Sequence, residues 1–362
     1  HKPGNPEYDP KAMVKLLVYG YSYGYRSSRK LERALYHNLS FIWLMGGLKP
    51  DDKTICKFRK DNRSSLKAIL KSCARMCVNL ELIDGNTLFV DGTKIRANAS
   101  SKNSWTKERC ETSLKHIDQR IEYLLDECDA TDEAEEAKAS MVKIKEALRD
   151  QQTLKAKIQE TLAKLKAEDK KSHNTIDPDC SRMNSLQGSH AGYNVQSVVD
   201  GKHGLITHIE ATSDNNDTAQ FARQIDKANE VLGQKCVTAC ADSGYANTEE
   251  LKKIDDQGIQ VIVPTQKQAA HKEPGPFDKE RFSYDREQDR YLCPEGHPLP
   301  LNRIDQEEKK KLYKIADPKL CLQCPHFGVC TKSENGRHIT RLFFEETKEK
   351  LEAQYETPEA QA

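Results

Sequence analysis

Several things are scarce in this sequence, and each scarcity closes off a class of protein. No run of eighteen or more apolar residues occurs, so no segment reads as a membrane span. The start, His1-Lys-Pro-Gly-Asn, has neither an apolar leader nor a Met. The chain therefore reads as a cytoplasmic protein and as a fragment of a longer reading frame. Net charge is nearly absent, at +1. Twelve cysteines without a secretory leader argue against a disulfide framework. Cys56, Cys73, Cys77 and Cys128 fall in helical patterns and read as small buried hydrophobes.

What is present is a chain of 362 residues, 36% hydrophobic and 31% charged, enough for two or three domains with highly charged segments. The small net charge hides an asymmetry. The first 80 residues are basic, with Arg26, Arg29, Lys30 and Arg59 among them. Such a segment suits phosphate contacts, although a solvated helical surface accounts for the same charges.

Residues 1–83 read as a helical N-terminal domain, with Asp51 or Asp52 capping a helix before Ile55 and Phe58. Thr87-Leu-Phe-Val-Asp91 is a short apolar run ending in an acid, and Ile95 and Ala97 suggest a hairpin partner after Gly92. Residues 106–172 carry Leu114, Ile117, Ile121 and Leu124, then Ile144, Leu148, Ile158, Leu162 and Leu165, at helical spacing. They predict an antiparallel helical hairpin, with Asp132 and Glu135 as a capping pair. Tyr193 to Ile209 alternates around a Gly-flanked turn and predicts a β-hairpin. A helix from Thr218 to about Leu232 follows. Then come a strand from Cys236 to Asp242, a helix, and a strand over Ile259–Val263.

The fold class is thus α/β: a mixed sheet in two parts, 84–105 and 173–265, with the helical hairpin inserted between them. A Cys-rich insertion follows over 266–340, then a charged helical tail over 341–362.

Asp91 and Asp242 each end an apolar strand, a costly place for a carboxylate without a partner. A single such acid is usually a turn cap. Two in this order suit a pair of ligands for Mg²⁺ or Mn²⁺ in two-metal phosphoryl transfer. Lys94 and Arg96 follow Asp91 and suit phosphate contacts, while Asp200 and Asp217 lie near the sheet, Asp200 in a turn. Asp177-Pro-Asp179 and Arg182 fit either a site rim or a turn. Cys293, Cys321, Cys324 and Cys330 supply four thiolates for structural Zn²⁺, with His297 as a substitute ligand.

Three segments together resemble DDE-type transposases of bacterial insertion sequences. Phe89-Val-Asp91-Gly-Thr-Lys-Ile-Arg-Ala-Asn-Ala99 is similar to their first catalytic motif. Ala241-Asp242-Ser-Gly-Tyr245 is similar to the second. Thr175-Ile-Asp177-Pro-Asp179, with Gly192-Tyr-Asn-Val-Gln196 and Val199-Asp200, resembles the stretch opening their second strand pair. Pro6–Ile83 looks like their helical N-terminal domain.

The resemblance implies an RNase H-like core with Asp91 and Asp242 catalytic. It implies metal-dependent DNA cleavage and strand transfer. Its partners would be terminal inverted repeats and target DNA, in a nucleoid-associated homodimer or higher assembly. The family's third acid, a Glu in an Arg-x-x-Val-Glu-x-x-Phe-Gly-like segment, has no counterpart here. Glu345, Glu346, Glu349, Glu352 and Glu356 lie in a solvated helical run and cannot be assigned that role by pattern. Two further readings stay open: a truncated or decayed transposase that binds DNA without catalysis, and a zinc-stabilised helical interaction protein.

Overall fold

The computed structural model describes residues 8–132, 138–168, 172–185, 188–271 and 273–361, with the side chains of 128–132, 138–142 and 185 left aside. The chain divides into two compact units, His1–Ile83 and Asp84–Ala362. Among the described residues, no helix is long and apolar enough to cross a membrane.

The first unit is helical: Pro10–Ser22, Ser28–His37, Leu39–Leu44, Asp52–Asp61 and Arg63–Asn79. Asp51 caps the fourth helix, accepting from the Thr54 N–H at 2.7 Å. Met13, Leu16, Leu17, Leu31, Leu35, Phe41 and Ile55 form its core. This unit holds sixteen Lys and Arg against seven Asp and Glu. The helical cysteines are not all buried as expected. Cys56 is exposed on the Asp52–Asp61 helix, which buries only Ile55, and Cys73 is exposed and Cys77 half-buried on the Arg63–Asn79 helix, which buries only Ala74. The Cys128 side chain lies outside the described residues.

The second unit is built on a six-stranded mixed sheet. Its longest strand, Gly188–Asp200, pairs antiparallel with Thr87–Arg96, Ser181–Ser185 and Ile206–Thr212. Thr87–Arg96 then pairs in parallel with Thr238–Ala241, which pairs in parallel with Gln260–Ile262. The Phe221–Leu232 helix covers one face through Phe221, Ile225 and Ala228. The opposite face leaves Phe89, Ile95, Ile206 and Ile209 exposed.

Residues 87–96 were expected to fold back after Gly92, yet they run straight as one strand. Gly92 serves close packing rather than a turn. A Cβ there would sit 2.7 Å from both Asp217 Oδ1 and Gln196 Nε2, and 3.0 Å from the Tyr245 hydroxyl.

Helices Lys107–Asp132 and Lys138–Ala167 pack against each other through Cys110, Ile117, Ile158 and Leu165. The Asp132/Glu135 cap falls outside the described side chains. The Cys-rich region holds more order than its composition suggested. Its strands Ser283–Asp285, Arg290–Leu292, Pro298–Asp305, Lys310–Lys314 and His338–Leu342 make an antiparallel sheet around Tyr291, Leu299 and Tyr313. The final segment is not simply a solvated tail. The Glu345–Tyr355 helix buries Leu351 and packs on the Gln260–Ile262 strand and the Thr248–Asp255 helix.

Candidate active site

Asp91 and Asp242 come from neighbouring parallel strands. Val90 pairs with Ala241, so the next residues, Asp91 and Asp242, stand side by side; Asp242 follows the end of its strand, whereas Asp91 lies inside the Thr87–Arg96 strand and does not end it as expected. Adjacent strands lie about 4.8 Å apart, which sets the scale of the pair's separation. Both residues are exposed. Asp91 Oδ1 accepts from the Gly92 N–H at 2.7 Å, and Asp242 Oδ1 from the Gly244 N–H at 2.8 Å. Asp242 thereby caps the short Ser243–Tyr245 turn. Among the described residues, no Lys or Arg is paired with either carboxylate. The backbone N–H groups orient one oxygen of each acid and leave the other for a ligand.

A buried polar network lies beneath the pair. Tyr245, only 1% exposed, donates its hydroxyl to Gln196 Oε1 at 2.5 Å. Gln196 Nε2 donates to Asp217 Oδ1 at 2.7 Å and to Asn194 Oδ1 at 3.1 Å. Asn194 Nδ2 donates to the same Asp217 oxygen at 2.7 Å. Asn194 and Gln196 are fully buried, so each amide needs these partners. Burial pushes the Tyr245 phenol far up, and the Asp217, Asp91 and Asp242 carboxylates push it further. That hydroxyl stays a proton donor, and the acids that act on it share one end of the sheet. Asp217 was only one acid among several near the sheet by sequence, because the contacts that seat it come from residues 21 and 23 positions away.

The other candidates are distributed differently. Lys94 and Arg96 are exposed, but strand alternation puts them on the face opposite Asp91. Asp200 is buried and holds a turn, accepting from the Gly85 N–H at 2.9 Å and the Lys202 N–H at 3.1 Å. Asp177 accepts from the Tyr193 hydroxyl at 2.7 Å, and Arg182 Nε donates to Ser189 Oγ at 2.6 Å. Asp179, Arg182, Asn184, Asp214 and Asn216 line a groove of about 580 Å³ beside this network. In the N-terminal unit, Arg26 and Lys30 are exposed and Arg29 meets Asp52 at 3.3 Å. Arg59 is spent on the Tyr21 hydroxyl, the Arg26 carbonyl and Cys56 Sγ.

Glu345, Glu346, Glu349, Glu352 and Glu356 each have a partner near their own end of the fold. Glu345 meets Lys279 at 2.7 Å and is buried, and Glu346 meets Arg286 at 3.6 Å. Glu349 meets Arg341 at 3.0 Å, Glu352 meets Lys348 at 3.5 Å, and Glu356 accepts from Gln268 at 2.7 Å. Among the described residues, no three His, Cys, Asp or Glu side chains are gathered to hold a metal ion. The Asp pair supplies two hard oxygen donors of the kind Mg²⁺ prefers, short of a full site.

Residues 1–61 match a family model described as a transposase domain (DUF772), and residues 141–343 match the transposase DDE domain. The second span contains Asp242 and Asp217, and Asp91 precedes it. No curated protein and no solved structure was found to match. With the DDE model spanning more than half of the chain, this protein belongs to the family of the transposase DDE domain and its function is that of a transposase.

Proposed function

We propose that the protein catalyses metal-dependent cleavage and strand transfer at insertion-sequence ends, with Asp91 and Asp242 as two of its metal-binding carboxylates. The observation that carries this reading is the parallel register that sets the two acids side by side, each with one oxygen oriented by a backbone N–H. The family implies dependence on divalent metal, and Mg²⁺ or Mn²⁺ suits oxygen donors. Ions held by Asp91 and Asp242 would supply activation of the attacking oxygen and stabilisation of the leaving oxygen.

The chain's own groups do the positioning. Tyr245, Gln196, Asn194 and Asp217 stiffen the floor of the site, so its carboxylates need no reorganisation as charge develops on the phosphodiester. A third carboxylate belongs on the open sheet face around Asp91, where Phe89 and Ile209 are uncovered. An RNase H-like core has room for it there. In this reading the groove beside Asp217 takes a DNA strand, and the basic N-terminal unit holds the terminal repeats. Joining two ends calls for a dimer or higher assembly. Zinc at the cysteines would serve folding rather than chemistry, because four thiolates close the coordination shell.

The test is strand cleavage and transfer on the element's own ends in Mg²⁺ or Mn²⁺. It compares this chain with one extended beyond Ala362 in its own reading frame. Asp91→Asn and Asp242→Asn should each lower the rate by about 10²–10³-fold, the usual cost of losing one preorganised electrostatic contact. Unchanged activity in both variants rules the assignment out. DNA binding without cleavage in the extended wild-type chain would favour the binding-only reading.

A further inference from the structure

Three separate loops of the C-terminal lobe bring four cysteines to the wall of one cavity. Cys293 comes from the turn after the Arg290–Leu292 strand. Cys321 and Cys324 come from the Pro318–Leu322 helix and its end, and Cys330 from the loop beyond. The cavity is about 30 Å³, the room one ion or one water needs. Its wall also carries Arg337.

Two of the sulfurs already accept backbone hydrogen bonds: Cys293 Sγ from the His297 N–H at 3.3 Å, and Cys321 Sγ from the Arg337 N–H at 3.4 Å. Gly296 and Gly336, at φ +79° and +80°, let the backbone turn tightly at these points. A Cβ on Gly336 would meet Ile315 Cγ2 at 2.3 Å and Cys321 Sγ at 3.4 Å.

Arg337 gives an independent sign of missing negative charge. Its Nη1 and Nη2 donate to the Cys330 and Phe277 carbonyls, but its Nε is buried without a partner. The side chain is half-buried, its guanidinium 5.2 Å from the Phe282 ring centroid, and a neighbouring thiolate cluster would offset its charge.

We infer that Cys293, Cys321, Cys324 and Cys330 bind one zinc ion as a four-thiolate site, with Arg337 offsetting its negative charge. His297 and His326 are not ligands. His297 serves through its backbone N–H, and His326 Nε2 lies 3.1 Å from Glu295. The sulfurs line the cavity without being drawn around one point, and ligation supplies that contraction. The lobe they close lies between the Gln260–Ile262 strand and the Glu345–Tyr355 helix that packs on it. Zinc therefore fixes how the chain returns to the sheet, and its binding energy becomes folding energy.

Metal analysis of the full chain, purified from zinc-supplemented medium without chelator, should find about one zinc per chain. Cys321→Ser and Cys324→Ser should lose it, and His297→Ala and His326→Ala should keep it. If the serine variants do not fold, cobalt substitution of the wild-type chain decides. A four-thiolate site gives intense sulfur-to-cobalt charge-transfer absorption. A zinc-free or iron-loaded wild type, zinc retained in folded Cys321→Ser/Cys324→Ser, zinc lost in a folded histidine variant, or a cobalt spectrum without thiolate bands would each overturn the assignment.

Discussion

At Gly92 a missing side chain determines how closely the site can be packed. The residue follows Asp91, and its Cα faces an oxygen of Asp217, the amide of Gln196 and the hydroxyl of Tyr245. Gly92→Ala puts a carbon inside the contact distance of two polar atoms. It should destabilise the second unit by about 1–3 kcal/mol, the usual cost of overpacking. Thermal melting measures this, and an unchanged midpoint would mean the network yields without cost. Tyr245→Phe tests the network from its other end. It leaves Gln196 Oε1 buried without its donor, for about 1–3 kcal/mol. Asp217→Ala removes the oxygen that accepts from both the Asn194 and the Gln196 amides. If Asp217 only supports the floor, folding falls with cleavage in that variant. If it acts on the reacting centre, cleavage falls while the melting temperature holds.

Among the elements, the two strands carrying the acids were legible because an apolar run closed by Asp is a local pattern; Asp242 follows its strand's end as expected, but the first strand runs on past Asp91 to Arg96. The two long helices were legible for the same reason, since their apolar spacing repeats over many turns. What local pattern could not give is what touches across the chain. Gly92 looked like a turn because glycine usually is one, and only distant residues, Gln196, Asp217 and Tyr245, explain it. The C-terminal sheet was missed because its strands are short and charged. Its core is held by Tyr284, Tyr291 and Tyr313 around Asp289 rather than by an aliphatic run. Burial would raise the Asp289 carboxyl, but hydrogen bonds from Tyr284, Tyr313 and Lys311 outweigh it and hold it at about 2. A depressed folded value means the contribution is whole above the ordinary carboxyl range near 3.8 and is lost as pH falls through about 2. Tyrosine near-UV dichroism followed from pH 5 to pH 2 should show this lobe loosening. Asp289→Asn should remove that part of the acid response, and an identical profile in the variant would break the assignment.

For the molecule as a whole, a net charge of +1 conceals two units of opposite character. The sixteen Lys and Arg of residues 1–83 face seven acids, so the acidic excess lies in the second unit. Phosphate binding, and its salt dependence, should therefore come from the first unit. Each phosphate contact contributes about −0.9 to the slope of log K against log salt. Arg26 and Lys30 are exposed, and no carboxylate is paired with either among the described residues. The Arg26→Ala/Lys30→Ala variant should flatten that slope by about 2 if both reach phosphates. Arg59→Ala makes the contrast, because its guanidinium is committed to Tyr21, the Arg26 carbonyl and Cys56. It should lower the stability of the helical unit by about 1–2 kcal/mol. Once the protein is folded, it should leave the slope nearly unchanged. Titrations of duplex DNA from 50 to about 200 mM salt, the range where such contacts are felt, separate the two outcomes. A slope untouched by the Arg26/Lys30 pair, or one flattened by Arg59→Ala in a fully folded sample, would place the DNA-holding surface elsewhere on the protein.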